Sequence, residues 1–204
     1  MRKHIATNVG SNLLDEAGVR SALLHKLNGA NFDGALIQEE FRIECGGARV
    51  DVAVIGPKLV GYEIKSDYDS FARFPNQIHA YNRIFDQINL VCGPTHTEYA
   101  ERVIPSWWGL WIAERDVNGV VILKQLRAAQ DNPKQDPFSL ASLLWRDEAA
   151  FVLSSELIKM PLRASSHQLW EEISKSLSIP RIKHVVTESL LKRQNYNEST
   201  VNAM

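Results

Sequence analysis

Two closely spaced turns place the strongest constraint on how this chain folds. From Leu36 to Lys65 the sequence alternates apolar and polar residues, and the alternation is interrupted at Gly46-Gly47 and again at Gly56-Pro57-Lys58. A period of two broken by such short turns is typical of antiparallel strands joined by hairpins. The segment therefore predicts a three-stranded antiparallel meander.

Helical periodicity lies on both sides of this meander. The spacing predicts a first helix from Asn12 to Leu27, capped at Ser11 or Asn12, and a second helix up to about Asp86 in which Pro75 marks a late start or a kink. Further on, the pattern predicts strands at 88–92, 108–114 and 120–126 and a helix at 95–103. This order indicates an α/β fold over residues 1–127, with a mixed sheet flanked by helices.

The remainder of the chain reads as helical. Residues 128–137 contain two prolines and mostly polar side chains, which favours a linker. Helical patterns near 138–158, 167–177 and 181–194 then predict a C-terminal helical subdomain over 138–195, followed by a flexible tail at 196–204. Two amphipathic helices between His167 and Arg193 fit either a helix-turn-helix or a helical cap packed on the core.

Charge and composition exclude several classes of protein. The chain of 204 residues has 23 basic and 24 acidic side chains, so it is not a polycation that coats nucleic acid. Residues 159–194, however, contain seven basic and three acidic residues, a local excess of positive charge. Two cysteines are too few for a disulfide framework, and no apolar run approaches the roughly 18 residues of a membrane span or resembles a signal peptide. We expect a cytoplasmic protein with no membrane partner.

The second hairpin brings charged residues together. With its turn centred on Pro57, Asp51 lies directly opposite Glu63, and alternation places Glu63 and Lys65 on one face of their strand. Two carboxylates about 5 Å apart repel by roughly 3 kcal/mol at an effective dielectric constant near 20. A divalent cation would convert this repulsion into coordination, and oxygen ligands suit Mg²⁺ or Mn²⁺.

The first hairpin adds further charges. A turn centred on Gly46-Gly47 sets Arg42 opposite Asp51 and Glu40 opposite Ala53. Glu40 is then a candidate additional acid, and Arg42 is a candidate phosphate contact or structural partner. The alternative is a solvated ladder of alternating charges.

The pattern Asp51, eleven intervening residues and then Glu63-Ile64-Lys65 resembles the signature of the PD-(D/E)XK nuclease superfamily, which has the restriction-endonuclease-like fold. The resemblance covers about residues 12–127, and Val50 stands where that signature has proline. It implies that Asp51 and Glu63 bind Mg²⁺ or Mn²⁺, that the carbonyl oxygen of Ile64 completes the protein ligands, and that Lys65 assists the attacking water.

A second motif follows on the next helix. Gln77 and Tyr81 resemble the Q-x-x-x-Y motif of exonuclease-type members of the superfamily, and the longer stretch 61–86 resembles a bacterial family within it. Their i, i+4 spacing puts both on one helix face, with Arg73 one turn earlier, where they can contact substrate. Many members also have an acid in the leading helix. Glu16 is the candidate here, with Asp15 and Glu40 as competitors.

These patterns predict a magnesium-dependent deoxyribonuclease. Its partner is a nucleic acid, most simply DNA, and cutting both strands would favour a homodimer or a larger nucleoprotein assembly. The alternative from another class is a non-catalytic nucleic-acid-binding or assembly subunit that keeps the same fold.

Overall fold

The structure, a computed structural model, describes residues 13–30 and 34–201. Within these ranges the strands are β1 (Leu36–Ile43), β2 (Ala48–Ile55), β3 (Leu59–Lys65), β4 (Gln87–Cys92), β5 (Gly109–Arg115) and β6 (Val121–Arg127). The α-helices are α1 (Glu16–Gly29), α2 (Phe74–Ile84), α3 (Thr97–Val103), α4 (Pro137–Ala141), α5 (Arg146–Ser155), α6 (Ser166–Ser176) and α7 (Ile179–Val201). Short 3-10 turns occupy Glu44–Gly46 and Pro94–His96.

The strands form one mixed sheet in the order β1-β2-β3-β4-β5-β6. Strands β1, β2 and β3 pair antiparallel, β3, β4 and β5 pair parallel, and β6 returns antiparallel to β5. One hydrophobic cluster joins the sheet to α1, and a larger one joins it to α2, α3 and the C-terminal helices. The predicted mixed sheet flanked by helices is confirmed.

Helix α1 begins later than its sequence pattern suggested. Asp15 is the N-cap, and its carboxylate accepts a 2.9 Å hydrogen bond from the amide of Gly18. Val19, Leu23 and Leu27, spaced by four residues, are buried against the sheet. The predicted cap residues, Ser11 and Asn12, lie outside the described residues. The predicted start of the helix at Asn12 is wrong, because the helix begins at Glu16.

The first hairpin has a longer turn than predicted. Its connection is the 3-10 turn followed by Gly47, so Ile43 pairs with Ala48 and Arg42 pairs with Arg49. The predicted pairing of Arg42 with Asp51 and of Glu40 with Ala53 is therefore wrong, because the four-residue connection shifts the register by two residues. In the observed register Glu40 is the residue that falls opposite Asp51.

The second hairpin has the predicted register. Ala53 pairs with Gly61 and Val52 with Tyr62, and the observed ladder ends there, one pair before Asp51 and Glu63. Helix α2 likewise begins at Phe74 with Pro75 in its first turn, so the proline marks a start and not a kink.

Both strands of the first hairpin change their buried face at Glu40 and Asp51. Val52 and Val54 pack in the cluster with α1, whereas Val50 packs in the cluster on the other face. The pairing skips the Glu40–Asp51 position, and Glu40 has a φ of 54°. A left-handed residue of this kind costs about 1–3 kcal/mol unless its surroundings fix it. The irregularity turns the side chains of Glu40 and Asp51 toward α1.

The predicted linker is an ordered strap across the end of α2. The Asn132 side-chain amide donates to the carbonyl oxygens of Asn82 and Phe85, at 2.7 and 2.8 Å, and Gln135 donates to Ile84 at 2.7 Å. These carbonyls lie at the C-terminus of α2, where no intrahelical donor is available. The polar residues that suggested a linker thus cap a helix.

The C-terminal helices pack on the sheet through the larger hydrophobic cluster. Several of their basic residues form ion pairs with acids of the same chain: Lys175 with Glu171, Arg181 with Glu156, Lys183 with Asp86, and Arg193 with Glu148. Among the described residues, no helix combines the length and apolar character needed to cross a membrane.

Candidate active site

A buried ion pair lies near the carboxyl end of β3. Lys65 donates a 2.7 Å hydrogen bond from Nζ to Oε1 of Glu63, and the Glu63 side chain is only 2% exposed. Alternation along β3 places both side chains on the face toward α2. A carboxylate so deeply buried requires a counter-charge and hydrogen-bond donors, and Lys65 supplies both.

Helix α2 supplies two more partners for Glu63. Gln77 donates from Nε2 to Oε1 of Glu63 at 2.7 Å and accepts from Lys65 Nζ at 3.2 Å. The Tyr81 hydroxyl lies 2.6 Å both from Oε2 of Glu63 and from the carbonyl oxygen of Arg49, and its single proton serves one of them at a time. Burial and the charge of Glu63 raise the pKa of Tyr81 far above its usual value, so its hydroxyl stays protonated.

Asp51 is held by the main chain of the neighbouring strand. Its Oδ2 accepts a 2.6 Å hydrogen bond from the amide of Ile64. Burial raises the pKa of Asp51 to about 7, and the nearby charge of Glu63 adds to this effect. The Ile64 amide and the charge of Arg20 act in the opposite direction. The carboxyl group therefore exchanges its proton near neutral pH.

Three acids converge beside β2. Glu16 from α1, Glu40 from β1 and Asp51 each offer a carboxylate oxygen, and these oxygens lie within 4.8 Å of one another. Like charges at that distance repel by about 3 kcal/mol a pair at an effective dielectric constant near 20. The guanidinium of Arg20 offsets the repulsion, because Nη2 lies 2.5 Å from Glu16, 2.9 Å from Glu40 and 3.2 Å from Asp51.

The sequence-predicted residues fall into two adjoining groups. Lys65, Glu63, Gln77 and Tyr81 form one hydrogen-bonded network, as described above. Asp51 and Glu16 belong to the acidic group and are linked to the network through Ile64, which lies between Glu63 and Lys65 on β3.

Two other candidates have different positions. Arg73 is exposed at the start of α2, and among the described side chains it forms no hydrogen bond or ion pair with either group. Asp15 caps α1 and is not a member of the acidic group.

Sequence reasoning missed Arg20. Its spacing of four residues from Glu16 indicates that both lie on one face of α1. The sequence alone does not show that this face meets Asp51, since that contact joins residues 31 positions apart. Glu40 was a candidate additional acid and a competitor of Glu16, but the misplaced turn assigned it the wrong partner.

Carboxylate and carbonyl oxygens are the ligands that Mg²⁺ and Mn²⁺ prefer. Among the described residues, the acids whose oxygens lie within 4.8 Å of one another are Glu16, Glu40 and Asp51, and Glu63 is not in this group. Glu63 accepts from three donors and keeps part of its acceptor capacity. Glu16 and Glu40 add two further carboxylates next to Asp51.

Comparison with known proteins identifies relatives over most of the chain. Protein cII of Enterobacteria phage P4 is 25% identical over 185 residues, which cover 90% of this chain and 69% of the phage protein. A solved structure of a protein of unknown function from Silicibacter pomeroyi is 20% identical, covers 72% of this chain and 92% of that protein, and superposes with a TM-score of 0.38. The family model described as bacteriophage P4 protein cII matches residues 10–204. This chain therefore belongs to the bacteriophage P4 protein cII family.

Proposed function

We propose that this protein is a metal-dependent nuclease with a restriction-endonuclease-like core, and that its substrate is DNA. The observation that carries the proposal is the buried Glu63–Lys65 pair, held by Gln77 and Tyr81 on the strand next to Asp51. A buried acid and lysine beside a second acid are typical of sites that combine metal binding with proton transfer.

The metal ligands in this proposal are Asp51, Glu63 and the carbonyl oxygen of Ile64. Mg²⁺ or Mn²⁺, when bound, supplies Lewis-acid stabilisation of phosphate charge and lowers the pKa of bound water. Glu16 contributes a further acid from α1.

The protein's own residues have separate roles. Lys65 orients the attacking water and stabilises negative charge that develops on the phosphate. Gln77 fixes the lysine by accepting from its ammonium group, and Tyr81 keeps the Glu63 carboxylate in place. Arg73, exposed at the start of α2, contacts the phosphate backbone of the substrate.

A panel of labelled nucleic acids tests this function. Purified protein is incubated at pH 8 with double-stranded, single-stranded and branched DNA and with RNA, in Mg²⁺, in Mn²⁺ and in a chelator. We expect metal-dependent cleavage of at least one DNA form. Cleavage that persists in the chelator, or cleavage of RNA alone, would contradict the proposal.

A non-catalytic nucleic-acid-binding subunit is the second candidate. Two acids of the site already have a counter-charge within the protein, Lys65 for Glu63 and Arg20 for Asp51, and this favours the second candidate. The ion pairs of Lys175, Arg181, Lys183 and Arg193 count against the C-terminal helices as the binding surface. DNA affinity that is equal with and without Mg²⁺, in a protein that cleaves nothing, would favour this candidate.

A further inference from the structure

Arg20 lies among the three converging acids and supplies a positive charge to all of them. Its guanidinium contacts Glu16, Glu40 and Oδ1 of Asp51 through one nitrogen, Nη2. The other terminal nitrogen, Nη1, donates to the main-chain oxygen of Asp51 at 3.1 Å and lies 3.6 Å from Glu39. The side chain is 15% exposed, so it is fixed within the site and does not extend into solvent.

Oδ1 of Asp51 cannot pair with the Arg20 guanidinium and coordinate a metal ion at the same time. A divalent ion at Asp51 would lie within a few ångströms of a guanidinium that is always protonated, and the two positive charges repel. Arg20 also has alternative acceptors, since the side chains of Glu16 and Glu39 are each 49% exposed whereas that of Asp51 is 17% exposed.

We infer that Arg20 is the resident cation of the metal site, and that it leaves Oδ1 of Asp51 when Mg²⁺ or Mn²⁺ binds. Until then it holds Glu16, Glu40 and Asp51 close together and prevents their mutual repulsion from opening the site. Arg20 is thus a positioning residue that lowers metal affinity while keeping the ligands assembled. The inference rests on the proposed function, because it takes Asp51 to be a metal ligand.

Calorimetric titration with Mn²⁺ tests the competition directly. At pH 8, Arg20→Gln should bind Mn²⁺ at least about tenfold more tightly than the wild type, because one positive charge is removed from the ligand sphere. Arg49→Gln is the matched control, since Arg49 pairs with the same Glu40 at 2.6 Å but makes no ion pair with Asp51. Its Mn²⁺ affinity should stay within about threefold of the wild type.

A second measurement avoids any loss of folding in the variant. The wild-type protein is treated with an arginine-specific dicarbonyl reagent, with and without Mn²⁺, and the modified residues are identified by mass spectrometry. Modification of Arg20 should increase several-fold with Mn²⁺ as the guanidinium leaves Asp51. Modification of the exposed Arg102 serves as the reference and should not change.

The outcomes separate the two proposals. Tighter Mn²⁺ binding by Arg20→Gln together with metal-induced modification of Arg20 supports the inference. If the wild type binds Mn²⁺ but Arg20→Gln binds it equally or less tightly and Arg20 stays protected, the inference is wrong and the metal site stands. If neither protein binds Mn²⁺, both the inference and the proposed function are lost.

Discussion

The amide of Ile64 donates a 2.6 Å hydrogen bond to Oδ2 of Asp51, so that an acid of one strand is fixed by the main chain of the next. Ile64 lies between Glu63 and Lys65, and this bond therefore links the acidic group of Asp51 to the hydrogen-bonded network of Glu63. It also explains why Asp51 can be held in place although burial disfavours its charge.

Replacing Asp51 by asparagine should stabilise the protein at alkaline pH. The pKa of Asp51 is raised from 3.8 to about 7 on folding, mainly by burial, so the folded state binds this proton more tightly. Ionisation of Asp51 then lowers the free energy of unfolding as the pH rises from about 4 to about 7, by up to about 4 kcal/mol. Urea unfolding of both proteins at several pH values measures this.

The pH dependence is the diagnostic part of that prediction. The difference in free energy of unfolding between Asp51→Asn and the wild type should be smallest near pH 4, grow toward pH 7 and stay constant above about pH 8. Asp147→Asn is the control, because Asp147 lies on the surface of α5 in a pair with Arg146. If Asp51→Asn stabilises the protein more at pH 4 than at pH 8, the pKa of the Asp51 carboxyl group is not raised on folding.

Removal of Lys65 should leave a buried charge without compensation. Lys65→Met is expected to lower the free energy of unfolding by about 3 kcal/mol, because Glu63 keeps its hydrogen-bond donors but loses its counter-charge. The double variant Glu63→Gln/Lys65→Met should recover most of this loss. Lys58→Met, which breaks an exposed pair with Asp131, should cost less than about 1 kcal/mol. Equal losses in Lys65→Met and the double variant would argue against a buried pair.

The hydroxyl of Tyr81 should contribute to stability separately from its ring. Tyr81→Phe removes the donor shared by Glu63 and the Arg49 carbonyl and is expected to cost about 1–3 kcal/mol. The ring contacts with Phe85 and Trp108 are retained, so Tyr81→Ala should cost more. The free energies of unfolding, measured by heat and by urea, are compared with that of Tyr99→Phe, a change at an exposed side chain. A Tyr81→Phe protein as stable as wild type would mean that these hydrogen bonds contribute nothing.

Gly61 leaves room for the side chains of Ile88, its partner on β4, and of Phe85. A Cβ atom at this position would lie 2.6 Å from Cδ1 of Ile88 and 3.2 Å from the ring of Phe85. We expect Gly61→Ala to destabilise the protein by about 1–3 kcal/mol through overpacking. Gly29→Ala, where no atom lies within 4 Å, should change stability by about 0.5 kcal/mol or less. Similar effects of the two substitutions on the urea midpoint would refute the packing argument.

The parts of the site predicted from sequence are those fixed by local rules. A tight turn at Pro57 determines the register of β2 and β3, and the observed ladder ends one pair before Asp51 and Glu63. Helical periodicity alone places Gln77 and Tyr81 on one face of α2. In both cases the relevant spacing is short. Alternation did not predict the direction of the Asp51 side chain, because β2 changes its buried face at this residue.

The parts that sequence reasoning missed depend on contacts between distant residues. The turn after Ile43 is a 3-10 turn, and two glycines alone did not distinguish it from a two-residue hairpin. Arg20 meets Asp51 only because α1 crosses the sheet at that point. Asn132 was expected in a linker since its partners, the carbonyls of Asn82 and Phe85, are 50 and 47 residues away.

The most direct test of the account is the rate at which the protein cleaves DNA, measured at pH 8 in Mg²⁺ for the wild type and for Glu63→Gln. We predict cleavage by the wild type that stops in a chelator, and a rate at least about 100-fold lower for Glu63→Gln. Glu98→Gln, a change at an exposed acid of α3, should cleave like the wild type. Equal rates for Glu63→Gln and the wild type, or no cleavage of any DNA by the wild type, would contradict a metal-dependent nuclease at this site.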